Sequence, residues 1–194
     1  MPRTKQFDEE EVLKKAMELF WKKGFHATSI QDLVSCLGIN RASLYDTFGG
    51  KDELFRRAFQ EYRNSSGDKV KALLAEGETV KAGFERLFSY AIDQAEENVE
   101  RKGCFVVNTT AELVPGNTAI QSILCENMEG ILSIFSDYIQ KGIDHGEISP
   151  SKNPKDIAIM LFTFYNGFQV ISKIETNRKK LEDLVQTGIS VLDD

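Results

Sequence analysis

The chain of 194 residues carries 24 Lys+Arg against 30 Asp+Glu, a formal charge of −6, and is 41% hydrophobic. That composition suits one medium domain, or a small domain fused to a larger one. No apolar run approaches the roughly 20 residues that a bilayer span needs, and the opening MPRTKQFDEEE lacks the apolar core of a signal peptide, so the expected location is the cytoplasm with no membrane partner.

The acid is unevenly spread. Residues 1–70 hold 12 basic and 11 acidic side chains, and the remainder hold 12 and 19, so the first third is slightly positive and the rest strongly negative. Local charge sets phosphate affinity, and an acidic total is only weak evidence against nucleic acid. Cys36, Cys104 and Cys125 form no CxxC pair, and with only His26 and His145 beside them no zinc spacing appears. No metal or other cofactor is expected, and an enzyme is set aside because no converging acid, base or metal groups are visible.

In chain order, Arg3 and Lys5 stand in a short polar arm that can enter a minor groove or simply be a free terminus. Asp8, with Glu11 three residues on, caps a helix whose stripe of Val12, Leu13, Ala16, Met17 and Phe20 covers the next two helices from behind. Lys14, Lys15, Lys22 and Lys23 read as its solvated face. Gly24 ends it, and Phe25 completes a small core. Thr28 starts the next helix, with Gln31 completing a capping box, and Ile30, Leu33, Val34 and Leu37 form one buried stripe. Gly38 stops that helix in the left-handed region, and Asn40 caps another after a connector of only Gly38 and Ile39. So short a turn makes the two axes cross steeply, as in a helix-turn-helix unit.

In that second helix Leu44 and Phe48 face inward, which leaves Arg41, Ala42, Ser43, Tyr45 and Thr47 on the outer surface or at the N-terminal end. Small, polar and amphipathic groups on one face suit the DNA major groove. Arg41 can reach the O6 and N7 acceptors of a guanine, Tyr45 and Thr47 offer hydroxyls to phosphate, and Lys51 offers a cation to the flanking backbone. By spacing alone, a plain helical hairpin inside an all-α core fits equally well.

Gly49 and Gly50 precede a fourth helix that opens at Lys51 with Asp52 and Glu53 in its first turn, where the helix dipole favours acid. Leu54, Phe55, Ala58, Phe59 and Tyr62 continue it, and Asn64 to Gly67 weaken it before Val70, Leu73 and Leu74 resume; a break and a continuous helix both remain open there. Further helices are expected from Thr79 to about Asn98, over the short apolar segment Cys104 to Leu113, and from Thr118 to about Gly142. Asn153 caps at Pro154 a segment running to about Thr176 that is apolar nearly all round, and a last helix spans Arg178 to Leu192. No sustained alternation appears, so the chain is all-α with about nine helices. A helix apolar on every side must be covered on every side, and pairing the last two helices with their copies in a second subunit does this readily, giving a homodimer.

Phe20, Gly24-Phe25, Thr28, Ile30, Leu37-Gly38-Ile39, Leu44-Tyr45, Phe48, Lys51 and Leu54 stand in an order and spacing that resemble the TetR family of bacterial transcriptional regulators, over about the first sixty residues. The resemblance implies an N-terminal three-helix DNA-binding domain, residues 1–50, and a larger ligand-binding and dimerisation domain, residues 51–194. It implies DNA contacts at Thr28, Arg41, Ala42, Ser43, Tyr45, Thr47 and Lys51. It also implies a repressor that binds a palindromic double-stranded operator as a dimer and leaves it when a small-molecule effector in the body tilts the fourth helix. Asp46 departs from the pattern, since family members often carry an aromatic or basic group there. Phe84, Phe88, Cys104, Met128, Phe135, Phe162, Tyr165 and Phe168 are candidate pocket residues, with ordinary core as the competing reading. Cys104 follows Gly103 at a helix start, where the dipole lowers a thiol pKa, and Lys173 is expected near it. Similarity to electrophile- and oxidant-sensing family members makes Cys104 with Lys173 a candidate redox sensor, against a small buried hydrophobe. From a different class, a helical dimer that serves as a protein-interaction module without DNA binding is the alternative, and the outward Arg41, Ser43, Tyr45 and Lys51 argue against it.

Overall fold

The computed structural model describes residues 7–97 and 100–193. Among them are nine α-helices, a closing 3-10 turn at Ser190–Leu192, and no strand. Helix α1 (Glu9–Lys23) begins at Asp8, whose carboxylate accepts from the Glu10 N–H rather than closing a box with Glu11. Its first turn is acidic and its last turn basic, which complements the helix dipole.

Helix α2 (Ile30–Leu37) starts one residue later than Thr28 suggests. The cap is Ser29, which accepts from the Asp32 N–H at 3.0 Å while the Asp32 carboxylate accepts from the Ser29 N–H at 2.9 Å. Thr28 is fully buried and donates its hydroxyl to the Gly24 carbonyl at 2.6 Å, closing the loop from within. Gly38 is left-handed at φ 67° and terminates α2 as expected. Helix α3 (Arg41–Phe48) comes next, with Asn40 accepting from the Ser43 N–H at 2.8 Å. Ile39, Leu44 and Phe48 are buried, so α3 is held by its inner side and free on the other.

Helix α4 (Lys51–Ala75) runs unbroken through Asn64–Gly67. Leu54, Phe55, Ala58 and Phe59 bury at one end, and Val70, Leu73 and Leu74 at the other. Anchorage at both ends outweighs the roughly 1 kcal/mol that one mid-helix glycine costs. The body continues with α5 (Val80–Glu97), α6 (Phe105–Leu113), α7 (Thr118–Asp144), α8 (Pro154–Ile171) and α9 (Arg178–Ile189). Asn98, the expected end of α5, lies outside the described residues. The Tyr138 hydroxyl on α7 sits 2.6 Å from the Leu74 carbonyl and 3.2 Å from that of Thr79, pinning the end of α4 to the body.

Two apolar clusters result. The first joins α1–α3, the front of α4, Phe105 and Leu113 of α6, and Ile120 and Leu124 of α7. The second joins the back of α4 with α5, the rest of α7, α8 and α9. Packing therefore crosses residues 50 and 51 without a seam, because Phe55 lies edge-on to Phe20 and to Phe105 at 5.1 and 5.8 Å between ring centroids. No described helix is long and apolar enough to cross a membrane.

Candidate functional site

The outer face of α3 presents Arg41, Ala42, Tyr45 and Asp46 to solvent, with Ser43 and Thr47 half-buried at its flanks. Tyr45 is 44% exposed, and the Arg41 guanidinium lies 5.9 Å from the centre of its ring. Lys51 is half-buried, with its ammonium 4.4 Å from the Phe25 ring centre, a cation–π contact that fixes the charge at the edge of the same face. Neither Arg41 nor Lys51 has an ion-pair partner among the described residues. The inner side of the helix is apolar and sealed, so the exposed side is a rigid display of one guanidinium, one phenol, small groups and one carboxylate.

Thr28 does not belong to this display: it is buried and its hydroxyl is spent on Gly24. Arg3 and Lys5 lie outside the described residues. The exposed segment is tied to the body at the back. The Glu112 carboxylate of α6 accepts from the backbone N–H groups of Phe25 and His26 at 2.9 and 2.7 Å. The Trp21 indole of α1 donates to the Gly103 carbonyl at 2.9 Å. Lys102 pairs with Glu18, and Lys22 with Glu100, along the same seam.

Behind that seam a cavity of about 470 Å³ opens between α1, α4, α5, the segment before α6, and α8. It has the volume of a small-molecule site. Of the eight candidate pocket residues, only Cys104 and Tyr165 line it. Phe84, Phe88, Phe135 and Phe168 are fully packed core, and Phe162 is half-buried against the same cluster. Met128 is 41% exposed on α7 rather than turned inward. The wall is instead made by Trp21, Tyr62, Lys69, Tyr90, Arg101, Gln169 and Lys173. Helical periodicity marks which side of each helix is apolar, but it does not say where five separate elements leave space between them. The one signal the chain offers is aromatic and basic residues on otherwise apolar stripes.

Cys104 is the N-cap of α6, yet its thiol is not activated. Burial pushes its pKa up, and the N–H groups of Val107 and Val106, the Tyr62 hydroxyl and the Lys173 charge offset this only in part. The expected lowering by the helix start is therefore overturned, because desolvation of a thiolate outweighs a partial dipole. Lys173 does approach, but its ammonium donates to the Asn108 side chain at 3.1 Å. Burial also raises the Tyr62 and Tyr165 phenols, so both are neutral donors in the cavity wall.

Residues 12–58 match the family model described as bacterial regulatory proteins, tetR family, and residues 82–187 match that of the tetracyclin repressor-like C-terminal domain. Over 198 aligned positions the chain is 30% identical to the HTH-type transcriptional regulator YezE of Bacillus subtilis (strain 168), and the alignment covers 100% of each. It is 27% identical to the HTH-type transcriptional repressor ComR of Escherichia coli (strain K12), over 96% of this chain and 90% of that one. In shape it is similar to the TetR family transcriptional regulator CifR, a cysteine mutant complexed with 26-base-pair operator DNA. The TM-score is 0.88 at 24% identity, over 98% of this chain and 99% of that one.

Proposed function

The chain belongs to the TetR family of bacterial regulatory proteins, and from that premise we propose that it is a ligand-responsive transcriptional repressor acting as a homodimer on a palindromic operator. The observation that carries this reading is the outer face of α3, an exposed Arg41 with no ion pair among the described residues, beside Tyr45 on a helix whose other side is buried. Residues 1–50 form the DNA-reading unit in this reading, and residues 51–194 the ligand-binding and dimerising unit. Arg41 takes base edges, Ser43, Tyr45 and Thr47 take phosphate or base edges as register allows, and Lys51 takes the flanking backbone.

Support for the dimer comes from α8 and α9. Ile159 and Val170 are 53% and 49% exposed, with Met160, Ile171 and Leu184 also open to solvent, an apolar surface that a monomer leaves wet. A twofold pair of α3 helices must lie about 34 to 36 Å apart to enter successive major grooves. The cavity touches Trp21 on α1, Tyr62 and Lys69 on α4, and Cys104 beside α6, the elements that carry the α3 unit. A ligand that shifts these elements changes the spacing at both half-sites, and coupling of about 1 to 3 kcal/mol alters affinity roughly 5- to 150-fold.

The test is equilibrium titration of the purified protein with duplexes selected from genomic fragments and with their scrambled counterparts. Selected duplexes should bind tighter at physiological salt; equal binding of the two removes the proposal.

A further inference from the structure

The cavity wall contains three cationic residues, Lys69, Arg101 and Lys173, and no carboxylate. In a chain with 30 acidic against 24 basic side chains, that local excess calls for an explanation. None of the three takes part in an ion pair among the described residues. Two are partly occupied: the Lys69 ammonium lies 4.9 Å from the Tyr90 ring centre, and that of Lys173 donates to Asn108. Arg101 has no partner at all among the described residues, and it is held half-buried at φ 46°, a left-handed conformation that a residue with a Cβ adopts only at a cost. The same cavity wall carries the flat side chains of Trp21, Tyr62, Tyr90 and Tyr165. An unpaired guanidinium presents a planar fork that matches a carboxylate, and aromatic walls favour a flat apolar body edge-on or offset-stacked.

We propose that the cavity binds an aromatic carboxylate, its head group taken by the Arg101 guanidinium in a field reinforced by Lys69 and Lys173, and its ring held among Trp21, Tyr62, Tyr90 and Tyr165. This rests on the reading of the cavity as the effector site and names the class of effector. A neutral or cationic body of the same shape leaves three positive charges uncompensated and binds less well. Tyr62 lies on α4 and Trp21 on α1, so the ring presses on the two helices that carry α3.

The experiment is isothermal titration calorimetry of the full chain, without DNA, against 2-naphthoate, the isosteric 2-naphthamide and 2-naphthylmethylammonium. The wild type should prefer naphthoate over the amide by about tenfold or more, and Arg101→Gly, which removes the charge and relaxes the backbone, should hold amide affinity within about twofold while losing the preference. Circular dichroism confirms that the variant is folded. Equal affinities for naphthoate and amide, a preference for the ammonium, no binding of any of the three, or a preference that survives in Arg101→Gly overturns the proposal. Operator occupancy measured with and without naphthoate separates this from the regulatory reading: naphthoate that binds but leaves the operator occupied keeps the site and removes the regulation.

Discussion

Arg41 opens α3 and Lys51 follows its end, and their different surroundings give the two cations different work. Arg41 is exposed in the first turn of α3 with the Tyr45 ring centre 5.9 Å from its guanidinium, and in the proposed reading it enters a groove. Lys51 is held over Phe25, its ammonium 4.4 Å from the ring centre, and in the proposed reading it takes a backbone phosphate. Arg41→Ala should therefore cost about 1 to 3 kcal/mol and relax base preference at one position. Lys51→Ala should weaken all duplexes alike and flatten the dependence of log K on log salt by roughly one unit. Fluorescence anisotropy over a salt series checks both, and wild-type affinity in the two variants sinks the assignment of this face. Cys104 is a second case in which surroundings decide. Its thiol pKa is raised by burial, so at pH 8 less of it is thiolate than an unperturbed cysteine provides, while Cys36 and Cys125 are exposed. Alkylation by iodoacetamide followed by mass spectrometry should label Cys36 and Cys125 first. Prior labelling of Cys104 would restore the sensor-thiol reading that its burial argues against.

Among the elements, α4 connects the two halves of the chain's behaviour. Its 25 residues extend about 37 Å at the usual rise, with the front in one apolar cluster and the back in the other. In the Asn64–Gly67 stretch the Ser65 hydroxyl donates to the Tyr62 carbonyl at 3.0 Å and the Gln60 amide donates to the Asn64 side chain at 2.8 Å. Apart from its chain neighbours and the helix's own nearby backbone, no described heavy atom lies within 4 Å of where a Cβ would stand on Gly67. Gly67→Ala should thus raise stability by about 0.5 to 1 kcal/mol, seen as a higher Tm. A lower Tm instead would mean that the helix does not run straight through this point in solution. The seam formed by Glu112, Gly103 and Trp21 works alongside α4, because it fastens the loop before α2 and the end of α1 to the body.

At the scale of the molecule, the apolar surface of α8 and α9 bears on everything else. Val170 stands exposed near the end of α8, on the side opposite the buried Leu161 and Phe168, with Ile171 exposed next to it in the chain. Val170→Glu places a charge in the expected interface and should convert dimer to monomer in sedimentation equilibrium. Two linked half-sites bind as one bivalent unit, so operator affinity should fall roughly a hundredfold or more although α3 is untouched. A variant that stays dimeric shows that the subunits meet elsewhere.

The helical class, the nine elements to within a few residues, the left-handed stop at Gly38, the Asn40 cap and the outward side of α3 were all legible in the order of residues. Each arises from interactions between residues a few positions apart, and periodicity and turn chemistry report such interactions directly. The start of α2 is displaced by one residue from its expected place because Thr28 and Ser29 are both good caps, and only the burial of Thr28 against the Gly24 carbonyl separates them. The continuity of α4, the exposure of Met128, the cavity wall and the protonation of Cys104 came from the packed molecule alone. Those depend on space and dielectric set by helices distant in sequence, and no local pattern carries information about what another helix brings to the same point.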